Sequence, residues 1–280
     1  MHIAVVGAGA IGLLVTKLLE DSGHSVVVYS RSEKSFPVLY QSPEGSVELV
    51  SFMGTQDTTL LHEADLVFVA TKTYHLESVY PLLHNRTGPI VFLQNGLIRK
   101  QVEAAIGKDC CLFGSIDHGA GIEEDLLVHT GNGTIRVGDN PLYEPFIKQL
   151  APVVSWADDI DRVLMRKAVL NTLINPLTAL LDVPNGELAV NDSLQQAVIA
   201  HYDELVVAFP TLEDYVQLEE VFELIKRTAT NSSSMRRDIK AGRETEISAI
   251  VLPLLEQAEA RNAYLPITSY LYSMIQSKKE

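Results

Sequence analysis

Ile3-Ala-Val-Val-Gly-Ala-Gly-Ala-Ile-Gly12 is the stretch that decides the fold of the first half of this chain. Residues 3–6 are a short apolar strand that runs straight into a Gly-x-Gly-x-x-Gly turn. An amphipathic helix follows to about Asp21, Ser22-Gly23-His24 turns the chain, and Ser25–Tyr29 forms a second strand. That strand–turn–helix–strand context is what a dinucleotide fingerprint requires. Gly7 permits the tight turn, Gly9 lets the backbone approach a pyrophosphate, and Gly12 lets helix and strand pack closely. Ala8, Ala10 and Ile11 complete the turn, whose free N–H groups at the helix start suit an anion.

The end of the second strand selects the cofactor. NAD-binding versions place Asp or Glu there to accept from the ribose hydroxyls. Here the residues are Tyr29-Ser30-Arg31-Ser32, with no carboxylate until Glu33. Arg31 and its flanking hydroxyls suit a 2′-phosphate, so the expectation is NADPH.

Further strands are expected at 65–71 and 89–93, almost wholly apolar as strands buried on both faces should be. The first ends at Lys72 and the second at Gln94-Asn95-Gly96. Ligands bind beyond the carboxyl ends of strands in open α/β sheets, which makes Lys72 and Asn95 candidates. Cys111–Ile116 reads as the next strand, leading to Asp117-His118-Gly119-Ala120-Gly121. Segments 126–130 and 134–137 flank Gly131-Asn132-Gly133, a hairpin signal that predicts antiparallel strands finishing the sheet. A helix over 143–150 and a strand over 153–156 close this half.

From Asp161 onward apolar residues recur at helical spacing and no alternating strand is found. Pro184-Asn185-Gly186 and Phe209-Pro210-Thr211 punctuate the helices. The expected architecture is an α/β Rossmann-type domain over 1–160, with a parallel sheet plus antiparallel edge strands, and an all-α domain over 161–280. A cleft between such halves is the default place for an active site.

Within the helical half, Lys167-Ala-Val-Leu-Asn-Thr-Leu-Ile-Asn-Pro176 carries a polar row. Residues four apart stack on one helix face, so Lys167, Asn171 and Asn175 align while Val169, Leu170, Leu173 and Ile174 supply apolar neighbours. At about 1.5 Å per residue the row spans roughly 12 Å, enough to line a small-molecule cleft. Pro176 lacks an N–H and is expected to bend or end the helix just past Asn175. Later, Asn231-Ser-Ser-Ser-Met-Arg-Arg-Asp238 opens a helix with a serine cluster, and Glu246 follows in Glu244-Thr-Glu-Ile. Ser234 and Glu246 are about 120° apart on a straight helix, so spacing alone does not put them on one face.

Composition narrows the classes. The chain has 280 residues, 46% hydrophobic and 21% charged, as expected of a soluble globular protein. Its formal charge of −14, from 22 basic and 36 acidic residues, argues against nucleic acid. No apolar run approaches a membrane span, and the amino terminus reads as a strand rather than a signal peptide. The two cysteines, Cys110 and Cys111, are adjacent and read as packing residues at a strand start. They permit neither a disulfide framework nor a Cys-x-x-Cys motif, and no His-Glu-x-x-His metal signature occurs. Sequons at Asn85, Asn132, Asn191 and Asn231 read as chance matches in a reduced, cytoplasmic chain.

These residues together resemble the ketopantoate reductase (2-dehydropantoate 2-reductase) family along nearly the whole chain. The most specific segment is 167–188, with Lys…Asn…Asn-Pro-Leu-Thr-Ala followed by Pro184-Asn185-Gly-Glu-Leu. Ser233-Ser-Met-x-x-Asp-Ile…Thr245-Glu246-Ile is the second. The resemblance implies NADPH-dependent reduction of ketopantoate to pantoate, with Lys167 protonating the reduced carbonyl oxygen. It implies that Asn171, Asn175, Asn185 and Ser234 hold the keto acid and that Asn95 touches both cofactor and substrate. Glu246 matches a carboxylate near the cofactor and the catalytic lysine. Gly7 to Gly12, Arg31, Lys72 and Ala120 match the NADPH site. The stretch between His201 and Ser232 is short for the family, with about two modest helical segments, which implies a different rim to the substrate pocket. Another NADPH-dependent 2-keto-acid reductase is the neighbouring alternative, and a non-catalytic nicotinamide-binding sensor the distant one. A sensor has no need of a proton donor. A helical half with apolar faces is compatible with a homodimer.

The chemistry agrees. Hydride delivery to a ketone leaves an alkoxide that needs a proton, and a partly desolvated lysine is a suitable donor. Burial would lower that lysine's pKa, and a neighbouring carboxylate would raise it. Hydride chemistry carried by a cofactor needs neither a metal nor a nucleophilic cysteine.

Overall fold

The computed structural model describes residues 1–31 and 36–279, so Ser32 and Glu33 lie outside the described residues. The chain divides into two compact units: Met1–Gln94 with Ile98–Val163, and Asn95–Leu97 with Leu164–Glu280.

The first unit begins as the sequence predicts, with β1 (His2–Val6), α1 (Ala10–Asp21) and β2 (Ser25–Tyr29). Three short strands follow, β3 (Phe36–Gln41), β4 (Val47–Phe52) and β5 (Gly54–Thr55). After α2 (Thr59–Glu63) come β6 (Leu66–Val69), α3 (Leu76–Leu83), β7 (Ile90–Phe92), α4 (Arg99–Ile106) and β8 (Cys111–Ile116). The rest of the unit holds β9 (Gly119–Glu123), β10 (Leu126–Gly131), β11 (Ile135–Asp139), α5 (Glu144–Lys148) and β12 (Val154–Trp156).

Eight strands form the main sheet in the order β12-β11-β8-β7-β6-β1-β2-β5. From β8 to β5 every pairing is parallel. β11 lies antiparallel to β8 and β12 parallel to β11, which gives the sheet its reversed edge. The central strands are buried along their length, as a sheet covered on both faces demands. Ile3, Val5, Phe68, Val91 and Leu112 share one core with Val15 and Leu19 of α1.

A second sheet of four strands, in the order β4-β3-β10-β9, was not foreseen from the sequence. It corrects the hairpin expected around Gly131-Asn132-Gly133. β10 pairs with β9 and β3, whereas β11 joins the main sheet against β8. Residues 132–134 carry the chain from β10 in one sheet to β11 in the other. Tyr40 and Leu127 of the second sheet pack with Leu13 and Leu14 of α1, and Ala8, Ala10 and Ile11 lean on the same cluster. The second sheet therefore buttresses the glycine turn.

α6 (Ile160–Leu181) leads into the second unit, which continues with α7 (Glu187–Val190), α8 (Asp192–Ala208) and α9 (Leu218–Arg227). α10 (Ser234–Lys240), α11 (Ile247–Glu259) and α12 (Pro266–Gln276) complete it. Val169, Leu170, Leu173 and Ile174 of α6 enter a core with Val198, Tyr202 and Leu205 of α8, Val221 and Ile225 of α9, and Leu254 of α11. Pro176 does not end α6, which runs on to Leu181. Pro176 removes the donor for the Thr172 carbonyl, a cost of about 3 kcal/mol in an isolated helix. Burial outweighs it here, because α6 is packed on most sides beyond Ala168 and Ala179 joins Met235, Ile247, Ile250 and Val251 in a second core. The Thr178 hydroxyl reaches back to the Ile174 and Asn175 carbonyls, 2.9 and 3.1 Å away.

Among the described residues no helix is long and apolar enough to cross a membrane. None of their His, Cys, Asp and Glu side chains form a group that could hold a metal ion.

Candidate active site

In the first unit, the glycine turn closes on β2 through Gly7 N–H, which donates to the Tyr29 carbonyl at 3.0 Å. Gly7 has φ +112°, a conformation that glycine adopts without strain. The next two glycines have opposite surroundings. A Cβ added at Gly12 would collide with the Gly7 carbonyl oxygen, whereas one added at Gly9 would meet nothing within 4 Å. Gly9 is the N-cap of α1 and has no side chain with which to cap the first-turn N–H groups. The open space over Gly9 and the positive end of the α1 dipole fit a pyrophosphate.

The other first-unit candidates fall around this turn. Ala120 on β9 is buried in the cluster against which Ala8, Ala10 and Ile11 pack. Lys72 lies just past β6 and is half-buried, and its carbonyl accepts from His75 N–H at 3.0 Å. Gln94 fixes that strand end: its amide donates to the carbonyls of Val69 and Thr71, each at 3.0 Å. Its positioning role escaped the sequence reading, although a polar residue directly after a buried strand is a usable signal. Arg31 is exposed, and its carbonyl accepts from the Gln56 amide.

The remaining candidates belong to the second unit. Lys167, Asn171 and Asn175 lie on consecutive turns of α6, the first two half-buried and Asn175 buried. Asn95 Nδ2 donates to Glu246 Oε2 at 3.0 Å, joining residues 151 apart in sequence. Gly96 makes this possible. It has φ +107°, a Cβ there would strike the Ala249 backbone, and Leu97 N–H donates to the Ala249 carbonyl at 3.1 Å. Asn95-Gly96-Leu97 is thus seated on the first turn of α11. Glu246 is only 7% exposed and occupies the N-cap position of that helix, where the dipole favours negative charge.

Asn185 is buried in the turn before α7. Its Nδ2 donates to Thr228 Oγ1 at 3.0 Å, and its Oδ1 is buried with no partner in the protein. An orphan acceptor of this kind costs about 1–3 kcal/mol unless a ligand donates to it. Ser233, not Ser234, caps α10: its hydroxyl accepts from Arg236 N–H at 3.1 Å and lies 2.9 Å from Thr178 Oγ1. Ser234 is the first residue of the helix and half-buried.

Fold and site together define a dinucleotide-binding α/β protein with an appended helical unit. Residues 3–141 match the family described as ketopantoate reductase PanE/ApbA, and residues 159–279 match its C-terminal counterpart. The 2-dehydropantoate 2-reductase of Listeria monocytogenes is 32% identical over 98% of this chain and 96% of its own. That of Vibrio cholerae is 30% identical over 100% and 98%. This chain belongs to the ketopantoate reductase family. Among solved structures, a probable 2-dehydropantoate 2-reductase from Bacillus subtilis matches with a TM-score of 0.78 and 25% identity, over 99% of this chain and 100% of that one. A D-mandelate dehydrogenase bound to NADH and anilino(oxo)acetate matches with a TM-score of 0.87 at 20% identity, over 100% and 98%, a likeness of fold alone.

Proposed function

We propose that this protein reduces 2-dehydropantoate to (R)-pantoate with NADPH, the reductive step that feeds pantothenate and coenzyme A synthesis. The observation that carries this reading is the Lys167-Asn171-Asn175 row on one helix, in a chain that aligns end to end with 2-dehydropantoate 2-reductases. Residues 1–160 are assigned as the NADPH-binding domain and residues 161–280 as the substrate and catalytic domain.

NADPH, when bound, supplies the hydride. The N–H groups at the start of α1 hold its pyrophosphate, with Gly7, Ala8, Gly9, Ala10, Ile11 and Gly12 forming the cradle. Arg31 and Lys72 meet the anionic ends of the nucleotide, and Ala120 backs the turn. Lys167 Nζ gives its proton to the substrate's carbonyl oxygen as negative charge develops there, and solvent then returns a proton to the lysine. Asn171, Asn175 and Ser234 donate to substrate oxygens, and Asn185 Oδ1 accepts from the substrate hydroxyl. With its Nδ2 committed to Glu246, Asn95 presents its Oδ1 as an acceptor. Glu246 holds that amide in place and supplies a counter-charge for a protonated Lys167. The protein acts in the cytoplasm, and a homodimer is the assembly proposed. A Staphylococcus aureus ketopantoate reductase of the same fold is described as dimeric.

The test is NADPH oxidation by purified protein with ketopantoate beside pyruvate, 2-ketoisovalerate, oxaloacetate and benzoylformate. The highest kcat/KM is expected with ketopantoate. A clear preference for another 2-keto acid would move the protein to a neighbouring reductase, and no turnover with any of them would remove it from catalysis.

A further inference from the structure

The two adjacent cysteines occupy different environments. Cys111 opens β8, is fully buried, and its thiol donates to the Gly107 carbonyl at 2.9 Å. It packs as the sequence suggests. Cys110 does not: it is half-exposed and lines a cavity of about 390 Å³ with Arg86, Gly107, Asp109 and Tyr143.

Arg86 is the second, independent feature of this cavity. It is 93% buried, being 7% exposed. Nη1 donates to the carbonyls of Leu61 and His62, and Nη2 to the carbonyl of Ala64 at 2.7 Å. Nε is buried with no partner, and no carboxylate forms an ion pair with the guanidinium among the described residues, Asp65 acting on it only at longer range. A buried cation without a counter-ion costs several kcal/mol. Carbonyl dipoles offset part of that cost, and an anion in the adjoining cavity would offset the rest. Of the ionisable groups that act on the guanidinium, the Cys110 thiol acts most strongly, ahead of the Tyr143 phenol and the Asp65 carboxylate.

We infer that Cys110 and Arg86 form a thiolation site, at which the Cys110 thiolate exchanges with small disulfides that carry carboxylates. Cys110–S⁻ attacks one sulfur of R–S–S–R, the S–S bond breaks, and the products are Cys110–S–S–R and R–S⁻, which takes a proton from water. The Cys110 sulfur is oxidised and the departing sulfur reduced, so the disulfide is the only co-reactant. Arg86 stabilises the attacking thiolate and draws the carboxylate of the incoming molecule, against the repulsion of Asp109, which lines the same cavity. When Cys110 ionises, the Cys111 S–H can turn from the Gly107 carbonyl toward it. That hydrogen bond first, and more weakly the Arg86 charge, hold the Cys110 thiol below its ordinary pKa, while the same hydrogen bond and then burial raise Cys111.

Cys111 does not resolve the mixed disulfide. Adjacent Cα atoms across a trans peptide stand about 3.8 Å apart, closer than the roughly 4.4–6.8 Å that a relaxed disulfide spans. The adduct therefore persists until an external thiol removes it. This inference is independent of the proposed reductase activity.

The experiment is intact-mass and peptide mapping of the folded protein after exposure to two disulfides of similar size, anionic 3,3′-dithiodipropionate and cationic cystamine. One adduct, on Cys110, is expected, forming several-fold faster with the anionic reagent. The pH profile of iodoacetamide labelling at Cys110 should have its midpoint clearly below the ~8.5 of a free cysteine. Unfolding the same protein in urea should return the midpoint to that value. Arg86→Gln should raise the folded midpoint, and if that variant misfolds, the comparison of native with urea-unfolded wild type decides. Absence of an adduct, an adduct on another residue only, equal rates with both reagents, or identical native and unfolded profiles would overturn the inference.

Discussion

Adding one methyl group at Gly9, and separately at Gly12, separates the two functions assigned to the glycine turn. Gly9 has φ −80° and ψ 177°, so alanine fits its backbone, and a Cβ there touches no protein atom within 4 Å. Alanine is a poorer N-cap than glycine by roughly 0.5–1 kcal/mol. Its smaller unfolded-state entropy returns about 0.4–1 kcal/mol, so Gly9→Ala should melt within a few degrees of wild type. Its Cβ nevertheless occupies the space assigned to the pyrophosphate. Losing one charge-assisted hydrogen bond costs about 1.5–3 kcal/mol, which is about 10- to 150-fold in NADPH affinity. Gly12→Ala is the converse, because its Cβ drives into the Gly7 carbonyl. Overpacking of this sort costs about 1–3 kcal/mol, only partly offset by alanine's helix propensity of about 1 kcal/mol. The loss should appear as a melting temperature lower by several degrees, at about 2–4 °C per kcal/mol for units of this size. Differential scanning fluorimetry and NADPH titration by fluorescence read the two effects. If Gly9→Ala binds NADPH like wild type, or melts as far below it as Gly12→Ala does, the space over Gly9 is not the cofactor's.

Three further outcomes are expected. Lys167→Ala should keep the fold and NADPH affinity but lose roughly two to four orders of magnitude in turnover. The alkaline limb of the wild-type rate–pH profile should vanish with it, and a variant retaining more than a tenth of wild-type turnover would reassign the proton donor. Arg31→Ala should weaken NADPH binding by about 10- to 150-fold and leave NADH binding nearly unchanged, as judged by parallel titrations; equal losses would contradict a 2′-phosphate contact. His201 is fully buried, and because Thr268 Oγ1 donates to Glu204, its Nε2–H donates to Thr268 and its Nδ1 is left without a partner. Burial lowers its pKa from 6.5 to about 4. Below pH 6.5 the unfolded chain binds this proton and the folded one does not, so stability should fall from pH 6.5 down to about 4, by on the order of 3 kcal/mol in total. Melting temperatures measured across that range should show a shallower slope for His201→Gln.

What the sequence reveals depends on how local the governing interaction is. The β1–turn–α1–β2 unit and the α6 row are legible because a strand, a tight turn and a helix face are each set by neighbours a few residues apart. The second sheet is not, since residues 39–41 of β3 pair with 126–128 of β10. Gly131-Asn132-Gly133 does mark the break between two strands, but its residues do not record which strands then pair. A helix end at Pro176 fails for the same reason: its local cost is correct, and the packing that overrides it comes from helices far along the chain. In the site, resemblance supplies Asn95 and Glu246 one at a time, and no spacing rule predicts that they meet. Adjacency suggests that Cys110 and Cys111 behave alike, and their different burial and the cavity that Cys110 shares with Arg86 separate the two.

The pairing of Asn95 with Glu246 has a consequence for synthesis. The two residues are 151 positions apart, and Asn95-Gly96-Leu97 belongs to the same compact unit as the residues after Val163. At ribosomal speeds of about 5–20 residues per second, Asn95 is made some 8 to 30 s before its partner. During that interval the first unit can fold around its own sheet while this tripeptide has no first turn of α11 to sit on. A fragment cut at residue 161 would carry Lys167, Asn171, Asn175 and Glu246 and still lack the amide that Glu246 holds. The polar site is therefore among the last parts of the protein to form, and it cannot be inherited as a self-contained C-terminal piece.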